Sequence, residues 1–124
     1  MNVVLWVIAV LLGVAFIGAG AMKALRPKDQ LAASGMGWTD DYSAGAVKAI
    51  GVLEILAGIG LILPAAVDIL PVLVPLAALG LAIIMAGAAV VHARRKEYPV
   101  IGANVLIFLL AAVVVWGRFG PYPF

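Results

Sequence analysis

The stretch AVKAIGVLEILAGIGLILP, Ala46 to Pro64, decides how this chain folds. It has the length and apolarity of a membrane-crossing helix, for which about 20 such residues suffice. Yet Glu54 sits in its middle, with only apolar and small neighbours for five positions on either side. An ionised carboxylate at that depth costs about 3 kcal/mol on insertion scales. Glu54 must therefore find a partner base or exist as a neutral acid, and it becomes the first residue to ask about function.

The rest of the chain has the same character. Of 124 residues 66% are hydrophobic and only 11% charged, against about half and about a quarter in soluble domains. The sequence thus predicts an all-α fold, a polytopic membrane four-helix bundle forming a single transmembrane domain over residues 1–124. Spans fall at about Val3 to Leu25, Gly45 to Leu63, Pro71 to His92 and Val100 to Gly117. Ala19 and Ala21 resemble a signal-cleavage pattern, but the first span lacks a basic leader and its apolar run is too long for one. The absence of cysteine excludes an internal dithiol, a thiolate-bound cluster and a cysteine nucleophile. A net charge of +2, carried by loop residues, gives no reason to expect nucleic acid as a partner.

Helix punctuation follows from single residues. Pro27 stops the first span, Ser43 is placed to cap the second, Pro64 to end it, Pro71 to sit in the first turns of the third and Pro99 to open the fourth. Lys23, Arg26, Lys28 and Lys48 surround the first loop and Arg94, Arg95 and Lys96 the third, leaving Arg118 alone opposite. The positive-inside rule then puts both termini on the outer side of a cell (inner) membrane. Trp6, Trp116, Phe119, Tyr122 and Phe124 gather at the outer interface, and Trp38, Tyr42 and Tyr98 at the inner one, as amphipathic rings do. The inner loop, residues 26–44, is the one long connection; Lys28 to Ala33 suits a short surface helix. Asp40 and Asp41 read as caps or solvated groups, since two adjacent carboxylates are weak metal evidence. No metal site is expected, because one His and no Cys cannot supply the companions it needs.

Four polar residues are left, one per span: Lys23, Glu54, His92 and Asn104. At about 1.5 Å per residue, Glu54 lies about 13 Å and Asn104 about 9 Å below the inner surface, with Lys23 and His92 near it. Side chains tilt toward the N-terminus of their own helix, so the first and third spans aim their polar groups inward and the second and fourth aim theirs back. All four converge. Lys23 with Glu54 is the expected ion pair, its stem of about 6 Å closing the gap. Glu54 shares a stripe with Val47, Gly51, Gly58 and Leu61, and Lys23 one with Phe16, Ala19 and Gly20, where small residues permit close approach. Lys48, about 120° around from Glu54, should reach the surface instead. His92 reads more readily as an interfacial histidine than as a ligand. Met85 reads as packing and Asn104 as a hydrogen bond between helices.

The glycine-rich GAGAMKALRP ending (Gly18 to Pro27), Met36-Gly37-Trp38, VKAIGVLEILAGIGLILP (Val47 to Pro64), His92, Asn104 and the closing WGRFGPYPF (Trp116 to Phe124) together resemble the DoxX-like family of small four-helix bacterial membrane proteins. The resemblance spans nearly the whole chain. It implies a membrane bundle. It also implies kinship with subunits of quinone-linked sulfur oxidation, with membrane redox complexes that manage thiol stress, and with lipid-handling or assembly-assisting proteins.

Three functional readings stay open. In the first, a lipophilic molecule, quinone or isoprenoid-like, places its polar end beside Glu54, Lys23 and Asn104. In the second, the Lys-Glu pair is purely structural, and the bundle is a scaffold that docks a partner through Trp38, Tyr42, Arg94, Arg95 and Lys96. In the third, the chain is a quinone-linked oxidoreductase subunit completed by a soluble or membrane redox partner. Small-residue pairs such as Ala9 with Gly13, Gly20 with Ala24, and Ala82 with Ala86 suit a homo-oligomer as well as a single bundle.

Overall fold

A computed structural model describes residues 1–33 and 36–124, with the side chains of Lys28, Asp40 and Asp41 left aside. Among the described residues the elements are α1 (Asn2–Leu25), α2 (Lys28–Ala33), a 3-10 turn (Gly37–Asp41), α3 (Ala44–Ala66), α4 (Leu73–Arg94) and α5 (Tyr98–Phe119), with no strand. The four long helices have 24, 23, 22 and 22 residues. At about 1.5 Å per residue each is long enough to cross a hydrocarbon layer about 30 Å thick. The expected four-helix membrane bundle is what forms. The predicted short helix Lys28–Ala33 is present too, and Leu31 anchors it with a side chain fully removed from solvent. The reading of Asp40 and Asp41 falls on side chains outside the described ones.

Burial is inverted relative to a soluble domain. Val3, Leu11, Leu25, Leu56, Ile83 and Leu106 are among many large apolar side chains that face outward, a surface that only lipid covers without cost. Leu12, Phe16, Leu61, Leu81, Met85 and Val114 fill the centre. Glu54 and Asn104 are buried with them, at 1% and 7% exposure.

Helix α1 packs on α3, and α4 on α5. The first contact is set by glycine. A Cβ on Gly51 would lie 2.6 Å from the Gly20 carbonyl oxygen, and one on Gly58 would lie 2.6 Å from that of Gly13. Backbone therefore touches backbone at two points seven residues apart, and dispersion accumulates along the seam where no hydrophobic effect drives helices together.

Helix ends depart from the sequence reading in two places. Ser43 does cap α3, its Oγ accepting from the Ala46 amide at 3.1 Å. Pro64, expected to end that helix, instead lies inside it and the helix runs on to Ala66. Proline removes only its own N–H; the amide of Val67 still reaches the carbonyl of Leu63. The true stop is Asp68, at φ 54°. Its amide and that of Ile69 bond back to Ala65 and Pro64, the paired bonds of a Schellman cap. Pro71 lies just ahead of α4, not in its first turn, and its carbonyl receives the amide of Val74 at 3.0 Å.

Candidate functional site

The Gly20 and Gly51 contact brings the backbone of Lys23 against α3 one turn before Glu54; a Cβ on Gly51 would sit 2.9 Å from that of Lys23. From there the Lys23 Nζ donates to Glu54 Oε1 at 2.5 Å. The expected buried ion pair is formed. The Glu54 carboxylate is nearly sealed, at 1% exposure, while the Lys23 side chain keeps 13%. The acid thus lies deeper than its base.

The ammonium has a second neighbour. Lys23 Nζ lies 5.7 Å from the centroid of the Trp38 ring, within range of a cation–π attraction. Trp38 in turn meets Tyr42 edge to face at 6.0 Å. The loop between α1 and α3 therefore folds back over the mouth of the bundle, with Met36, at the start of its 3-10 turn, tied by its amide to the Leu31 carbonyl at 3.0 Å.

His92 is held by the turn that follows it. Helix α4 is closed by Lys96, two residues past its end, at φ 58°. The amides of Lys96 and Glu97 bond back to Ala93 and His92, a second Schellman cap with lysine where glycine is usual. This turn swings the Glu97 carboxylate to within 3.2 Å of His92 Nδ1 and 3.1 Å of Arg95 Nε.

Between these groups lies a cavity of about 360 Å³. Lys23, Trp38, Tyr42, Glu54, His92 and Asn104 supply its polar and aromatic wall, and Ile50, Leu53, Ile84, Met85 and Ala88 its apolar one. Leu53 and Gly87 also face outward, so the space opens between α3 and α4 toward lipid. Nearer the other end those helices close, with Ala77 in the place a Cβ on Gly60 would need.

Two atoms in this wall lack partners. Glu54 Oε2 and Asn104 Nδ2 are both buried and neither makes a hydrogen bond. Asn104, read from sequence as a bond between helices, makes no such bond. A buried polar atom left unpaired costs about 1–3 kcal/mol, and native proteins carry few of them. Here the two residues that carry them both line one cavity.

The structure thus brings Lys23, Glu54, Asn104 and His92 to one cavity and sets the half-buried Trp38 and Tyr42 on its wall. Arg94 and Lys96 are exposed and do not line the cavity, and Lys48 is exposed as expected. Glu97 was not singled out from sequence. The visible signal was its place as the lone acid directly after the basic run Arg94 to Lys96, five residues beyond His92. Among the described residues no three His, Cys, Asp or Glu side chains gather in a metal-holding group.

Four long apolar helices, with Glu54 buried among them, define a multi-pass membrane protein in contact with the lipid bilayer. A family model described as the DoxX-like family matches residues 7–114. The chain belongs to the DoxX-like family. Comparison with curated proteins and with solved structures gives no match.

Proposed function

We propose that the bundle holds a lipophilic molecule with one oxygen-bearing polar end, an isoprenoid quinone or a related polyprenyl lipid, in the cavity between α3 and α4. The observation that carries this reading is that two residues lining one cavity, Glu54 and Asn104, each carry a buried atom without a hydrogen bond, Oε2 and Nδ2. Together they offer an acceptor for a ligand hydroxyl and a donor for a ligand carbonyl. A volume of about 360 Å³ is at the lower end of the pocket range of roughly 300–1,000 Å³. It admits a ring and the first part of a tail, while the remaining tail passes between α3 and α4 into lipid.

Lys23 fixes the carboxylate through Oε1 and leaves Oε2 for the ligand. Trp38 and Tyr42 cover the polar end from water. With the Lys23 end facing the cytoplasm of an inner-membrane protein, a ligand proton would be exchanged through Lys23, Glu54 and the aqueous side. A quinone bound there would supply two-electron chemistry, and the electron donor would be a partner chain, because this one has no cysteine. The test is extraction and mass spectrometry of lipids from the purified protein. Wild type should carry a stoichiometric isoprenoid or quinone and Glu54→Gln, with an intact bundle, should carry at least tenfold less. Equal retention by the two would remove the proposed role of Glu54.

A second reading, a scaffold whose Lys23–Glu54 pair is only structural, draws support from the closeness of that pair, 2.5 Å. It predicts a stable partner in pull-downs and an empty bundle.

A further inference from the structure

Arg118, near the end of α5, lies at the opposite end of the bundle from Lys23 and is as little exposed as the core, at 5%. Its Nη1 donates to Asn2 Oδ1 at 2.6 Å and to the carbonyl of Tyr122 at 3.1 Å. The Phe124 ring covers its flat face, with the centroid 3.8 Å from Cζ. Both hydrogen-bond acceptors are neutral. Its Nη2 is buried and makes no hydrogen bond.

Among the described residues no carboxylate forms an ion pair with Arg118. Glu54 is bound to Lys23 at the other end, and Asp68, in the loop between α3 and α4, is exposed and forms no ion pair among the described residues. A guanidinium keeps its charge at physiological pH and offers donors in a planar fork shaped for two oxygens. Burying such a charge without a counter-ion is costly, yet here the chain spends Asn2, Tyr122 and Phe124 on positioning it. Arg118 also borders a second cavity of about 240 Å³, whose other walls are Pro71, Val72, Pro75, Pro123 and Phe124.

From this geometry we infer that Arg118 is the anchor of an oxyanion site in that cavity, taking a phosphate or carboxylate group through Nη2. The apolar, proline-rich walls supply no other side-chain donor, and Phe124 leaves only the edge of the guanidinium for in-plane bonds. The same chemistry is offered by the phosphodiester of a membrane lipid at this interface and by a free anion from the aqueous side. This site is separate from the Glu54 cavity, and its failure would leave that reading untouched.

The experiment is a thermal titration of the detergent-purified protein with short-chain phosphatidylglycerol, with the matching phosphate-free diacylglycerol and with inorganic phosphate. Wild type should gain several degrees in melting midpoint with phosphatidylglycerol and none with diacylglycerol. A comparable gain with inorganic phosphate assigns the site to a free anion; a gain with the phospholipid alone assigns it to a lipid headgroup. Arg118→Gln should lose the shift at least tenfold in half-saturating concentration. Val72→Trp, which fills the cavity and keeps the charge, should lose it as well, so the outcome does not hang on the folding of one variant. An equal response to diacylglycerol and phosphatidylglycerol, or an unchanged response in both variants, would overturn the site.

Discussion

The two ends of this bundle each bury a cation, and they treat it differently. At one end Lys23 meets Glu54 at 2.5 Å, so the buried unit is neutral as a whole and the unpaired atom is an oxygen of the acid, Oε2. At the other end Arg118 is held only by the neutral oxygens of Asn2 and Tyr122 and by the Phe124 ring. Among the described residues no carboxylate pairs with it, and the unpaired atom is a donor, Nη2. A neutral, hydrogen-bonding cavity deep between apolar helices suits an uncharged lipophilic head; a bare guanidinium near an interface suits an anion.

The comparison breaks most readily at Glu54. Glu54→Ala should destabilise the bundle by about 3–5 kcal/mol, because it leaves a buried ammonium unpaired, whereas the double change Lys23→Met with Glu54→Leu should recover to within about 1 kcal/mol of wild type. Denaturation in mixed micelles measures both. A double variant as unstable as the single one would mean that the pair is not acting as a unit. At the other end, Arg118→Met should cost less, about 1–2 kcal/mol, since it removes hydrogen bonds but strands no opposite charge. A loss equal to that of Glu54→Ala would expose a counter-charge for Arg118 and erase the contrast. The smallest effect belongs to Asn104→Leu. With no hydrogen bond from its amide nitrogen to lose, the ligand-free protein should lose no stability and should gain about 1 kcal/mol, the lower end of the cost of a buried unpaired polar atom. Ligand retention should nevertheless fall, which separates the binding role from packing.

Much of the Lys23 end was legible in the sequence because its signals are local and additive. A carboxylate in an apolar run demands a partner, helix rise gives its depth, and side-chain tilt gives its direction; together these lead to Lys23. The buried stripe Val47, Gly51, Glu54, Gly58 and Leu61 follows from helical periodicity alone. Asn104 shows where such reasoning stops. Its type and depth suggested a bond between helices, but whether a partner lies within reach depends on how closely α5 approaches the polar groups of the other helices, which no single sequence encodes. Trp38 and Tyr42 pose the same difficulty, because interfacial aromatics read alike whether they face lipid, a partner or a cavity. Pro64 misled because a proline in the last turn gives up one hydrogen bond and leaves the next amides free to continue. The setting of Arg118 was invisible for a different reason: Asn2 and Arg118 are 116 residues apart, and their contact exists only once α1 and α5 are neighbours.

The central claim is that Glu54 Oε2 and Asn104 Nδ2 are unpaired within the chain because a ligand completes them. An experimental density map of the protein purified in its native lipid tests this most directly. The account predicts a non-protein group within hydrogen-bond distance of both atoms, with a tail leading out between α3 and α4. A closed cavity, with the Asn104 amide turned onto the Glu54 carboxylate, would contradict it.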